Sequence, residues 1–165
     1  MYISILKKVK TENGGAGKMV QHHFNMEVKW DGGRDDVGSI EATKLKTAIS
    51  IPEEMDGPGI GTNPDEMLLG AAATCYIISL AAMLERSKID ATLRMQSEGI
   101  VDVTNGVFTY EKIIHLLTIH LHEHSERHER LATKLAQKAE QTCMISKALK
   151  GNVDIELHII IDEGK

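Results

Sequence analysis

The chain has 165 residues, of which 42% are hydrophobic and 26% charged, a composition for one globular domain with a real core rather than a disordered segment. Its net charge of −5 without a long basic run argues against a nucleic-acid scaffold, and its two cysteines are too few for a disulfide framework and fit the reducing cytosol. Aromatic residues are scarce at 4%, so aliphatic side chains and eight methionines must fill the interior.

Residues 1–20 read as an N-terminal strand and linker ahead of a single domain at 21–165. MYISILKKVK places its apolar part before the lysines, the reverse of a secretory signal. TENGGAGK (11–18) is a polar glycine-rich linker; it lacks the glycine offset of a phosphate loop, and Met19 stands where Ser or Thr is needed. His22 to Trp30 alternates as a strand and meets a turn signal at Asp31-Gly32-Gly33, and 38–49 is strand-like again. After a Gly- and Pro-rich loop at 53–64, Asn63 is a natural N-cap, Pro64 suits the first helical position, and Asp65 and Glu66 suit the first turn. The helix runs to about Ser87. Met67 to Leu84 is long enough to cross a bilayer, but it carries Gly70, Thr74, Cys75, Tyr76 and Ser79 between tight charged flanks and has no companion span. It reads as a central helix buried by protein on most sides, with no membrane role.

Strands at about 91–103 and 107–121 meet at Thr104-Asn105-Gly106, a strong hairpin signal. Ser125 caps a second helix from 126 to about 141, with Glu126 and Arg130 at i,i+4 spacing. Cys143 lies just beyond it, MISKALKG forms one more helical piece closed by Gly151, and Val153 to Ile161 alternates as a final strand. The order predicts an α+β fold with helices packed on antiparallel sheet.

Cys75 lies about three turns into its helix, beyond useful reach of the helix dipole. In an apolar run it is either a small core hydrophobe or a nucleophile, and the second role needs a cation from elsewhere in the fold. Cys143, at a helix junction, is better placed for exposure or movement. Asp65 lies ten residues before Cys75 and about 80° around the helix axis, whereas Glu66 points to the opposite side; both also fit simple helix-start chemistry. Arg34, after the double-glycine turn, is either a solvated turn residue or a side chain aimed into a neighbouring site. His120, His122 and His124 fall on one strand face with His115 and His128 nearby, but no carboxylate or cysteine adds metal-site spacing, so the reading is a solvated strand end and no metal.

Three pieces carry a family resemblance: GGRD at 32–35, GTNPDEMLLGAAATC at 61–75 and TCMISKALKGNVDIEL at 142–157. Over roughly residues 22–162 the chain resembles the osmotically inducible protein C and organic hydroperoxide resistance (OsmC/Ohr) family. The resemblance implies antiparallel sheets around a long central helix plus a second helix, in an intertwined homodimer with sites at the subunit interface. It implies a cytoplasmic thiol peroxidase of stress defence that favours organic hydroperoxides, needs no bound cofactor and is recycled by an external, lipoyl-type dithiol. By position, Cys75 is the peroxidatic cysteine, Cys143 the resolving one and Arg34 the activating arginine. The acidic partner falls on Asp65, where the family usually carries glutamate, with Glu66 adjacent as a substitute. The alternative is a non-catalytic dimeric module on the same scaffold, binding a small molecule or a lipoyl carrier.

Overall fold

The computed structural model describes residues 20–162, so the expected N-terminal strand and most of its linker lie outside the described residues. A three-stranded antiparallel sheet comes first, β1 (Met26–Lys29), β2 (Gly38–Ala42) and β3 (Lys46–Ile49), in the order β1-β2-β3. The run at 38–49 is therefore two strands. It folds back at Thr43 to Leu45, where the Ala42 amide donates to the Leu45 carbonyl at 2.7 Å, a turn made without glycine or asparagine. A short 3₁₀ turn at Glu53–Met55 follows, and the loop is sewn to this sheet by the Ser50 and Thr62 amides, which donate to the carbonyls of Thr62 and Ala48.

The first long helix, α1 (Pro64–Arg86), starts as its sequence prescribes. The Asn63 side chain accepts from the Glu66 amide at 2.9 Å, Pro64 takes the first position, and the Glu66 carboxylate accepts the Thr62 hydroxyl at 2.7 Å. Beyond it, β4 (Ala91–Thr104) and β5 (Val107–Leu121) form a long hairpin. Asn105 and Gly106 both have positive φ, 53° and 76°, the geometry that a tight two-residue turn demands.

Ser125 caps α2 (Glu126–Thr142) by accepting the His128 amide, and α3 (Met144–Leu149) follows after a single intervening residue. The last strand, β6 (Asp154–Asp162), lies beside β5 and runs parallel to it. This departs from the antiparallel expectation. The route β5–α2–α3–β6 is a helical crossover, which returns the chain to the starting end of β5 rather than folding it back as a hairpin.

Helices α1 and α2 cover one face of the β4-β5-β6 sheet. Tyr76, Leu80 and Leu84 on α1 meet Leu117 and Ile119 on β5 and the alanines 132, 136 and 139 of α2 in one buried cluster, and Ala72 meets Ile113 in a second. These α1 residues recur every four positions and form one stripe. The opposite side of α1 is open in the single chain, where Ile78 is 66% exposed. The expected burial on most sides is thus met on one side only, and α1 is a helix long and apolar enough to span a bilayer. Leu80 touches the centre of the stripe. Its replacement by alanine should cost about 2–5 kcal/mol of unfolding free energy, read by urea denaturation with an unchanged m-value.

Candidate active site

Cys75 sits mid-way along α1, next to the buried stripe, and is half-buried. Cys143 occupies the single residue between α2 and α3, where its ψ of 129° ends one helix and starts the next. Its amide still donates to the Ala139 carbonyl at 2.9 Å, so the break is held tightly. At only 1% exposure it is the more buried of the two cysteines, the reverse of the sequence expectation. The helix junction creates a kink, but the kink is turned inward against α1.

The two sulfurs meet. The Cys143 thiol donates to Cys75 Sγ at 2.8 Å across 68 residues of sequence. Burial pushes the Cys75 thiol pKa up, but the Cys143 thiol, the amides of Ile145 and Met144, and the Ser79 hydroxyl favour the thiolate and hold it below the ordinary cysteine value. In this structure the single Ser79 hydroxyl proton is donated to the Cys75 carbonyl at 2.7 Å, one turn away, and serves the sulfur only by rotating. The cation that Cys75 was expected to need is replaced, within one chain, by neutral hydrogen-bond donors. The position of Ser79, four residues on, was legible as a helical neighbour. The contribution of Met144 and Ile145 depends on the break after α2 and was not.

Arg34 and Asp65 line one cleft together but neither reaches Cys75. The Arg34 guanidinium donates to the carbonyls of Met55 at 2.6 Å and Asp56 at 3.1 Å and pairs with neighbouring Asp35. Asp65 and Cys75 stand on the same helix ten residues apart, a separation of about 15 Å along its axis. The 80° angular offset was correct for an ideal helix, but the axial distance places the two residues in different parts of the surface. Glu66 is engaged at the helix start by Thr62 and Asn63 and does not line the Arg34 cleft. Tyr110, which the sequence reading did not single out, does line it; burial and then the Asp65 charge push its phenol pKa up.

The histidines are dispersed among separate partners. His120 pairs with Asp162 and His122 with Asp90, while His128 Nδ1 lies 2.9 Å from the Glu123 carbonyl. Among the described residues no group of three or more His, Cys, Asp or Glu side chains is arranged to hold a metal ion. His115 is a core residue: it lies 2.7 Å from the Ser97 hydroxyl, stacks on Tyr76, and is kept toward its neutral form by burial.

A sequence profile of the family described as OsmC-like protein matches residues 57–158, a span that includes α1, both cysteines and most of β6. Protein YmaD of Bacillus subtilis is 59% identical over 148 residues, covering 88% of this chain and 99% of its own length. An organic hydroperoxide resistance protein-like 2 of Staphylococcus epidermidis is 31% identical, covering 78% of this chain and 89% of its own. Among solved structures, an organic hydroperoxide resistance protein OsmC from Legionella pneumophila superposes with a TM-score of 0.65 at 27% identity, over 85% of this chain and 99% of that one. With its paired cysteines on α1 and the α2–α3 break, the chain belongs to the OsmC-like protein family.

Proposed function

We propose that the chain is a thiol-dependent peroxidase of the cytosol that reduces organic hydroperoxides, with Cys75 as the attacking sulfur and Cys143 as the resolving one. The observation that carries this reading is the 2.8 Å contact between two free cysteines. The substrate class is taken from relatives named for organic hydroperoxide resistance.

The Cys75 thiolate attacks the outer oxygen of the hydroperoxide, forming an S–O bond as the O–O bond breaks. The departing alkoxide takes a proton and leaves as the alcohol, and Cys75 becomes a sulfenic acid. Cys143, already in contact, attacks that sulfur; an S–S bond forms and water leaves. An external dithiol, of lipoyl type, then exchanges with the disulfide and returns both thiols. No bound cofactor enters any step.

The axial offset of about 15 Å separates Asp65 from Cys75 of its own chain, and Arg34, in the same cleft as Asp65, is held on the Met55 and Asp56 carbonyls. A homodimer resolves this, because a partner's Arg34 and Asp65 can approach Cys75 across the open side of α1. That side borders an apolar groove of about 590 Å³ lined by Ile77, Ile78, Ala81, Ile89 and Leu93, surface that a second copy would cover. In that arrangement the guanidinium adds a fixed charge to the neutral donors and meets the leaving oxygen. A purely binding member of the family leaves the paired sulfurs without a role; protein treated with peroxide then shows no intrachain disulfide.

Cys75→Ser is expected to abolish turnover, whereas Cys143→Ser should accumulate a sulfenic acid that dimedone labels at Cys75; full activity in Cys75→Ser would overturn the assignment. Removing the sulfur donor tests the thiolate. The pH midpoint of Cys75 alkylation should rise in Cys143→Ala and stay near the native value in Cys143→Ser, whose hydroxyl can still donate. Subunit sharing is read by co-expressing Cys75→Ser and Arg34→Ala chains. Random pairing should restore roughly a quarter of native activity if the arginine acts across the interface, and none if it acts within its own chain.

A further inference from the structure

The chain contains one Trp, three Tyr and two Phe, and Trp30, Phe108 and Tyr110 line a single cleft of about 640 Å³ beside Arg34 and Asp65. This concentration is built by the backbone. From Ile113 to Leu121 the odd-numbered side chains of β5 face the helices. At the register shift Ile100 pairs with Lys112 but Val101 pairs with Tyr110, which leaves Glu111 over and reverses the parity of the strand. Phe108 and Tyr110 therefore turn to the helix side; in an unbroken ladder Thr109 and Glu111 would occupy their place.

Two glycines seat the rings. A Cβ at Gly99 would lie 2.1 Å from the Tyr110 hydroxyl, and one at Gly38 would lie 2.6 Å from Trp30 Cε3. The Trp30 indole N–H is tied to the Gly33 carbonyl at 2.9 Å, so its ring is held in place. In the single chain Trp30 is 40% exposed and Phe108 55% exposed, leaving large apolar ring faces open to a ligand. The cleft has the volume of a small-molecule site, with flat apolar walls and a few polar groups at one side. Burial and Asp65 keep the Tyr110 phenol protonated, and its present acceptor, the Asp65 carbonyl, lies at 3.5 Å, a long contact that a ligand oxygen can displace.

We propose that this cleft recognises an arene-bearing small molecule, its ring stacked among Trp30, Phe108 and Tyr110 and its oxygen end directed to the Tyr110 hydroxyl, Arg34 and Asp65. Aromatic faces reward a planar ring by offset or edge-to-face contact, which a compact alkyl group cannot make. The choice of an oxygenated ligand rests on the hydroperoxide reductase reading above. On that reading arylalkyl hydroperoxides are preferred over small alkyl hydroperoxides.

Because Trp30 is the sole tryptophan, its emission reports occupancy without turnover. The reduced full-length protein is titrated with 2-phenyl-2-propanol, an unreactive alcohol product, and in parallel with tert-butanol. A saturable change with the aryl alcohol is expected, with tert-butanol at least about tenfold weaker. Phe108→Ala should weaken aryl binding about five- to tenfold, and Phe108→Leu, which keeps bulk without the ring, should also weaken it. No saturable response up to the solubility limit overturns the proposal, as does equal affinity in the native protein and Phe108→Ala, for instance because a second copy fills the cleft. Peroxidase activity without aryl binding would sink this inference alone. Aryl binding without any peroxidase activity would uphold the cleft and sink the catalytic reading.

Discussion

The contact between Cys75 and Cys143 depends on how closely α2 can approach α1. Leucines on the facing surface of α2 would hold the helices too far apart. The fully buried residues of α2 are Ala132, Ala136 and Ala139, a stripe of small side chains that leaves room for close packing, with Leu131 and Leu135 packed beside it only partly buried. The same helix must carry the chain back to the start of β5, because β6 lies parallel to it. The break at Cys143 is placed where this return path passes the middle of α1. One residue thus ends α2, begins α3 and delivers a sulfur to its partner.

That placement also decides the electrostatics. A thiol in an aliphatic core is inert because burial penalises its charge. Here the break that presents Cys143 also presents the first amides of α3, so the second sulfur and the donors that lower the Cys75 thiol pKa arrive together. Arg34, by contrast, rests on the carbonyls of the Met55–Asp56 turn, away from both sulfurs. The groups that lower the Cys75 thiol pKa in one chain are thus neutral hydrogen-bond donors, with no guanidinium among them.

Much of this arrangement was legible in residue chemistry. Asn63-Pro64, Asn105-Gly106, Ser125 and Gly151 each mark a boundary through a local constraint, and each boundary lies within a residue or two of its expected place. The parallel β6 was not legible, because alternation reports which face is buried and says nothing of strand direction. Nor was the cleft. Period-two reading puts Phe108 and Tyr110 opposite to Ile113, and only the extra residue at Glu111 brings them to the same side. The burial order of the cysteines was not legible for a related reason: a helix junction suggests exposure, whereas packing against α1 turns Cys143 inward.

The one-sided burial of α1 and the separation of the charged pair from the sulfurs would share one geometric solution in the proposed homodimer. Two-fold symmetry is reciprocal: if Asp65 of one protomer lies beside Cys75 of its partner, then Cys75 lies beside the partner's Asp65. Two antiparallel α1 helices meet this condition only when the axis crosses them midway between these positions, at residue 70. That residue is Gly70, followed by Ala71, Ala72 and Ala73, and a Cβ built on Gly70 meets nothing within 4 Å. A glycine costs about 1 kcal/mol relative to alanine inside a helix, and no contact within the single chain requires it. In the homodimer proposed above, close approach of a second helix would supply the reason, since a residue without a side chain lets two backbones cross at short range. The ten-residue spacing from Asp65 to Cys75, which keeps the two apart within one chain, is the distance that would centre a shared site in that homodimer.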